Sequence, residues 1–396
     1  MKEIYFVVLT MYQLYVADTY ANYIQDNYDN CNVSIINVGL NTLTYKPNGS
    51  IRIVKVPDLN QTFVTRIWQR AYFGGNLFCF SPLKKLVNHG NVLLFIFNDN
   101  EPITNKLVRE VKKANDNKVI IIEEGIGIYS YTSNKKLTLK QKGRLLVTSI
   151  LGSPMQYKAI GDNPFIDYAI VSNVELYKKL EKSCKQIIFY QNKEGLFSSS
   201  QTFLQRYAQK KRESYSADYI YLGQPFDEFG GLLDEEKECL IKLFDMVGDD
   251  KSVLIKPHPR DAVGKYDNFK LHFKNVTVVS ESYYSLPAEC IVAGFGAGTI
   301  LSFNSSAGVN LANSFQTINC IFLYKTQLFG SIHKYWNKVG SIYDDDIFKS
   351  KNNNTFIPET NEELMQLLKQ KNEIVSSKLA DISTQYLEID EIIKNC

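Results

Sequence analysis

Three short segments carry side chains whose types and spacing suit chemistry. In Ile121-Ile122-Glu123-Glu124-Gly125-Ile126-Gly127, two carboxylates follow an apolar run and glycines make the turn. On a strand of a parallel sheet, such acids stand at the carboxyl edge, where open α/β folds bind ligands. The segment is either a seat for a general base or an ordinary strand-to-loop junction with solvated acids. Adjacent side chains on a strand end point to opposite faces, so at most one of the two meets a substrate. In Leu254-Ile255-Lys256-Pro257-His258-Pro259-Arg260-Asp261, two prolines stiffen the turn and remove amide donors. His258 is thereby displayed in a fixed loop beside Lys256 and Arg260, a setting that can hold a phosphate. His89, His272 and His333 have no comparable flanks. In Ile300-Leu301-Ser302-Phe303-Asn304-Ser305-Ser306-Ala307-Gly308, an apolar run leads into paired serines and small residues. Hydroxyls and free amides at a helix start form an anion site, although serine is also a common N-cap.

Three other segments are weaker. Gly294-Phe295-Gly296-Ala297-Gly298 lacks the spacing of a dinucleotide loop and reads as a flexible connection. Asp344-Asp345-Asp346 could hold a divalent ion on a diphosphate, but it follows no clear strand and reads as a solvated loop. Trp68-Gln69-Arg70-Ala71-Tyr72-Phe73 could stack on sugar or face a membrane, and buried packing is the expected fate of its rings.

The elements that would position these residues are short β-branched runs separated by helical stretches, a pattern that suits strands covered on both faces. In the first half the runs are Ile4–Thr10, Val33–Val38, Ile51–Val56, Val92–Asn98, Val119–Glu123 and Tyr168–Val171. After a polar stretch at Gln191–Ser216 they resume at Tyr219–Leu222, Val253–Lys256, Val276–Val279, Ile291–Val292, Ile300–Phe303 and Ile318–Tyr324. Leu233–Val247 has helical spacing and reads as a crossover helix, and Thr360–Lys394 as a terminal helical segment. The expectation is two α/β domains, residues 1–200 and 216–360, followed by helical residues 361–396.

Composition agrees. A chain of 396 residues with 44% hydrophobic and 22% charged residues can bury two cores. Its 45 basic against 42 acidic residues give +3, too balanced for binding nucleic acid through phosphate neutralisation. The 7 cysteines are scattered without a C-x-x-C pair, so reduced thiols, a cytoplasmic setting and no structural zinc are expected. Ile4–Thr10 reads as a buried first strand rather than a signal-peptide core, since Glu3 and Gln13 interrupt the apolar stretch Met1–Ala17. No apolar run approaches the ~18 residues of a membrane span, while peripheral membrane attachment stays open.

Taken in order, the motifs resemble bacterial sialyltransferases, in particular glycosyltransferase family 52 and its polysialyltransferase-like relatives. That group pairs a D/E-D/E-G motif, here Glu123-Glu124-Gly125, with an HP motif, here His258-Pro259, and a serine pair, here Ser305-Ser306. Secondary echoes are Thr10-Met11-Tyr12-Gln13-Leu14, Phe97-Asn98-Asp99, Leu222-Gly223-Gln224-Pro225 and Leu286-Pro287-Ala288-Glu289. The resemblance implies a GT-B fold, with two Rossmann-like domains facing each other across a cleft. The acceptor would lie on the side of Tyr12, Gln13, Asn98 and Asp99, and the donor would meet Lys256, Pro259, Glu289, Ser305, Ser306, Gly223 and Gln224. Glu-Glu stands where an aspartate is often found, and which glutamate is the base stays open.

The implied reaction transfers sialic acid, or a related nonulosonic acid, from its CMP-activated form to a sugar hydroxyl, with inversion. Glu124 or Glu123 would take the acceptor proton if its pKa is raised. His258, with an ordinary pKa of ~6.5, would donate a proton or hydrogen bond to the departing phosphate, and the serines would hold its oxygens. One phosphate carries less charge than two, so no metal or other cofactor is expected. The acceptor would be an oligosaccharide, lipooligosaccharide or capsule precursor. Two other readings remain: a GT-B enzyme acting on a UDP-sugar, either glycosyltransferase or epimerase, and a non-catalytic carbohydrate-binding protein of polysaccharide assembly.

Overall fold

The computed structural model describes residues 1–40, 45–56, 90–129, 160–180, 182, 186–208, 217–226, 232–295, 297–315, 317–339, 345–369 and 385–396. The Trp68–Phe73 segment and Asp344 lie outside these residues. The chain divides into two compact units: Met1–Asn192 with Arg206–Gln209 and Thr384–Cys396, and Lys193–Gln205 with Lys210–Ser383.

The first unit holds a parallel sheet of β1 (Lys2–Val8), β2 (Cys31–Val38), β3 (Arg52–Val56), β4 (Val92–Ile96), β5 (Lys118–Ile122), β6 (Tyr168–Val171) and β7 (Ile187–Tyr190), ordered β3-β2-β1-β4-β5-β6-β7. Ile4 pairs with Val33 on one side and Leu93 on the other. The central strands are buried along nearly their whole length, as continuous apolar runs covered on both faces must be. The helix Met11–Asn27 starts at an N-cap, Thr10, and is buried from Gln13 to Asn22.

The second unit repeats the design with β8 (Ala217–Leu222), β9 (Val253–Lys256), β10 (Val276–Val278), β11 (Ala297–Ser302), β12 (Asn319–Phe322) and β13 (Thr355–Phe356), ordered β10-β9-β8-β11-β12-β13 and parallel throughout. The helix Leu233–Val247 connects β8 to β9. Its first turn carries Asp234, Glu235 and Glu236, which favour a helix start, and Gly248, with φ 85°, ends it.

In both sheets the order reverses beside the first strand, between β1 and β4 and between β8 and β11. Ligands in such folds bind outside the carboxyl ends of strands at that reversal.

Several expectations are corrected. Ile291–Val292 lies inside the helix Ala288–Phe295, not in a strand. Within the Gly294–Gly298 stretch, read as a flexible connection, Gly294 and Phe295 end that helix and Ala297 and Gly298 begin β11, while Gly296 lies outside the described residues. β7 and the two-residue β13 were not expected. The terminal segment is shared between the units: Asn361–Lys369 belongs to the second, and Leu387–Asn395 to the first. Leu387–Asn395 is held there because Glu388 accepts from Tyr20 Oη at 2.9 Å and Asp390 from Tyr23 and Tyr28 at 2.9 and 2.7 Å. Among the described residues no helix is long and apolar enough to cross a membrane.

Candidate active site

Thr10 follows β1 and Glu124 follows β5, both at the carboxyl edge of the first sheet. Glu124 Oε1 accepts from Thr10 Oγ1 and Oε2 from Gln13 Nε2, each at 2.8 Å. Thr10 Oγ1 in turn accepts from the Gln13 amide at 3.2 Å, so one hydroxyl caps the helix and holds the acid. The Leu9 amide donates to Gln13 Oε1 at 2.7 Å, which turns the Gln13 side-chain N–H towards Glu124. Burial raises the Glu124 pKa, and the two neutral donors offset this in part. The residue keeps some exposed surface. Each oxygen accepts one of these bonds and retains a lone pair for an incoming hydroxyl.

Glu123, on the other face, is 2% exposed and engaged within its own unit. It accepts from the Ser172 amide at 2.7 Å, from Ser172 Oγ at 2.8 Å, and from Tyr129 Oη. The geometry therefore separates the pair, with Glu123 bracing the β5–β6 edge and Glu124 available. Asp99, expected on the acceptor side, is 0% exposed and accepts from the Gly161 and Asn163 amides at 2.8 and 3.0 Å. It anchors a distant loop. Asn98 Oδ1 accepts from the Asn100 amide at 2.9 Å, and Tyr12, half-buried, packs edge-on against Tyr15.

In the second unit, Gly223-Gln224 follows β8, Pro257-His258-Pro259 follows β9, and Ser305 follows β11. The loops after β8 and β11 flank the reversal of the second sheet, and the loop after β9 lies one strand away. The His258 amide donates to Asp261 Oδ2 at 2.7 Å, and the Asp261 amide donates to the His258 carbonyl at 2.9 Å. Within this closed turn, Arg260 N donates to His258 Nδ1 at 3.2 Å. Nδ1 is then an acceptor, and the proton of the neutral ring sits on Nε2. Burial, reinforced by the positive charges of Arg260, Lys256 and Lys265, pushes the His258 pKa down to about 3. The imidazole is neutral near pH 7, so of the two roles expected for it, hydrogen-bond donor and proton donor, its surroundings support the first.

Ser305 is the N-cap of the helix Ser306–Ser314, accepting from the Ala307 amide at 3.3 Å, while its own amide donates to the buried Ser302 Oγ at 2.9 Å. Ser305, Ser306 and Ala307 are partly exposed. A Cβ on Gly308 would lie 2.7 Å from Cys320 Sγ, so glycine lets this helix start lie flush on β12. Gly223 has a similar role, since a Cβ there would lie 2.6 Å from Tyr266 Oη and 2.9 Å from Asp261 Oδ2.

Two expected donor ligands are turned inward. Lys256 is 3% exposed and donates to the carbonyls of Pro257 and Tyr284 at 2.6 and 2.9 Å, with its pKa pushed down to about 7 by burial. Glu289 is 7% exposed and accepts from Asn310 at 2.8 Å, and burial raises its pKa. Pro259 is exposed, and the Gln224 carbonyl accepts from Lys265 Nζ at 2.8 Å. Asp345 pairs with Lys325 and accepts from Tyr324 Oη at 2.5 Å, while Asp346 pairs with Lys349 at 2.6 Å. No group of three potential metal ligands occurs among the described residues.

Sequence reasoning did not assign Thr10, Asp261 or Ser302. The available signals were an N-cap threonine after a strand and an acid three residues beyond His258, the spacing that closes a turn.

Comparison with solved structures finds the same fold at low sequence identity. UDP-GlcNAc 2-epimerase of Methanocaldococcus jannaschii aligns over 100% of both chains at 11% identity, with a TM-score of 0.52. A 2,6-sialyltransferase of Photobacterium sp. JT-ISH-224, solved with CMP and lactose, aligns over 90% of this chain and 78% of its own at 11% identity, with a TM-score of 0.50. No curated protein matches. The alpha-2,8-polysialyltransferase (POLYST) family matches residues 81–324. That stretch is more than half of the chain and contains Glu124, His258 and Ser305-Ser306. The protein is therefore a sialyltransferase of GT-B fold, and the chain belongs to the alpha-2,8-polysialyltransferase family.

Proposed function

We propose that the protein transfers sialic acid, or a related nonulosonic acid, from its CMP-activated form to a sugar hydroxyl of a bacterial surface glycan, inverting the anomeric carbon. The observation that supports this most is Glu124, a carboxylate with a raised pKa held by two neutral donors at a ligand-binding sheet edge. Glu124 takes the proton of the acceptor hydroxyl as its oxygen bonds to the anomeric carbon. The bond from that carbon to the phosphate oxygen breaks, and the electron pair leaves with CMP. His258 donates its Nε2–H to the departing phosphate. The hydroxyls of Ser305 and Ser306 and the Ser306 amide at the helix start hold the remaining oxygens, so that stabilisation is in place where charge develops. Lys256 acts by bracing the His258 loop rather than by touching the donor.

A monophosphate held in this way needs no divalent ion. The family's description favours an acceptor that already ends in sialic acid, extended through α2,8 linkages, on an oligosaccharide, lipooligosaccharide or capsule precursor. The free thiols of Cys31, Cys239, Cys290, Cys320 and Cys396 fit a reducing compartment, and we place the enzyme in the bacterial cytoplasm, peripheral to the inner face of the membrane.

The test is incubation with CMP-sialic acid and a panel of lactose, sialyllactose and disialyllactose, with products read by mass. Extension of the sialylated acceptors is expected. Turnover of a UDP-sugar, with stabilisation by UDP and not by CMP, would overturn the donor assignment.

A further inference from the structure

His258 reaches its position through a buried charged cluster. Asp261 Oδ2 accepts from the His258 amide at 2.7 Å and from Tyr266 Oη at 3.2 Å, and Oδ1 accepts from Lys265 Nζ at 2.8 Å. Lys265 also pairs with Glu236 at 2.8 Å and donates to the Gln224 carbonyl at 2.8 Å. Both side chains of the Lys265–Asp261 pair are almost wholly buried, at 3% and 0% exposure. The cluster thus joins the loop after β8, the loop after β9 and the helix Leu233–Val247. One carboxylate, Asp261, connects it directly to the backbone of His258. With the Asp261 amide closing on the His258 carbonyl, the turn brings the Arg260 amide onto Nδ1 and leaves Nε2 free to donate.

We propose that Asp261, held by Lys265, is a positioning residue for sialyl transfer: it fixes the His258 turn so that Nε2–H, and not Nδ1, faces the donor phosphate. This rests on the reading of His258 as the phosphate's hydrogen-bond donor. Aspartate suits the task because two oxygens serve the backbone and the lysine at once. Asparagine, of the same shape, offers one acceptor and one donor, and the donor would face either an N–H or an ammonium.

The experiment is a double-mutant cycle between Asp261→Asn and His258→Ala, reading kcat, KM for CMP-sialic acid and melting temperature. It is paired with ¹⁵N chemical shifts of the labelled histidines in the free protein, the His258 signal being assigned by its loss in His258→Ala. Asp261→Asn is expected to lower kcat by about 10–100-fold, up to the lower end of the ~10²–10⁴-fold range for losing the acid or base itself, because the imidazole is still present but mispositioned. It should cost less than about twofold more in the His258→Ala background, and it should shift the His258 ring from one tautomer to a mixture. Equal losses in both backgrounds, or an unchanged tautomer, would overturn the proposal. Full activity of His258→Ala would instead show that the reading of His258 has failed. If Asp261→Asn does not fold, Gly223→Ala tests the same cluster with its charges intact, by pushing a methyl towards Asp261 Oδ2, and the same non-additivity is expected. Failure of both variants to fold would mark the cluster as a stability element and also overturn the proposal.

Discussion

Thr10 Oγ1 donates to Glu124 Oε1 at 2.8 Å across 114 residues of sequence, and so the cap of the first helix also holds the carboxylate proposed as the base. Both Thr10 and Gln13 favour the charged form of a carboxylate that burial pushes the other way. Thr10→Val should therefore raise the Glu124 pKa further. Since the base works deprotonated, the acidic limb of the kcat profile should move to higher pH, with the alkaline limb unchanged. An unmoved acidic limb would separate Thr10 from the base.

Glu124→Gln should slow transfer by about 10²–10⁴-fold, the usual cost of losing a general base. CMP affinity, measured by calorimetry, should stay within about twofold because the residue acts on the acceptor. A variant that keeps its turnover would remove Glu124 from the mechanism.

If His258 works as a neutral hydrogen-bond donor, an amide can substitute for it in part. His258→Ala should lose about 10²-fold in kcat, the scale for one preorganised donor. His258→Gln should recover part of that loss. Equal loss in both variants would instead indicate proton transfer by the imidazole.

Protein treated with EDTA and desalted should turn over at the same rate with and without added Mg²⁺ or Mn²⁺. Strict dependence on either ion would contradict phosphate binding by Ser305, Ser306 and the helix start alone.

Glu236 makes stability depend on pH with a definite sign. Burial lifts its pKa to about 7, against ~4.3 in an unfolded chain. Between these values the folded state holds a proton that the unfolded state releases, so this residue's contribution falls as pH rises through the window. The melting temperature of the native protein minus that of Glu236→Gln should therefore decrease from about pH 5 to about pH 8. A constant difference would show that Glu236 keeps its charge throughout.

The parts legible in the sequence were those with local signals. Continuous β-branched runs marked strands correctly in every case but Ile291–Val292, and Leu233–Val247 had a full helical period. Ile291–Val292 misled because the run around it is apolar and short, with Cys290, Ile291 and Val292 all buried, so that no period distinguishes helix from strand. Ile187-Ile188-Phe189-Tyr190 was hidden beside a polar stretch and forms an edge strand, half of whose residues are exposed. At the site, alternation along β5 separated Glu123 from Glu124 but could not say which faced inward. That depended on Ser172 and Tyr129 for one and on Thr10 for the other. Asp99 and Lys256 were misplaced for the same reason, since their partners, Gly161, Asn163 and Tyr284, are remote in sequence.

The return of Leu387–Asn395 to the first unit has a consequence for synthesis. Tyr20 is made early, yet the carboxylate that satisfies its hydroxyl, Glu388, emerges 368 residues later. At the usual ~5–20 residues per second, that is a wait of roughly 20–70 s. Lys2, whose ammonium meets the Ile393 carbonyl at 2.8 Å, waits longer still. The second unit's sheet, by contrast, is translated without interruption between these two events. On the ribosome it can close first, while the unit that carries Glu124 stays incomplete until its last helix arrives.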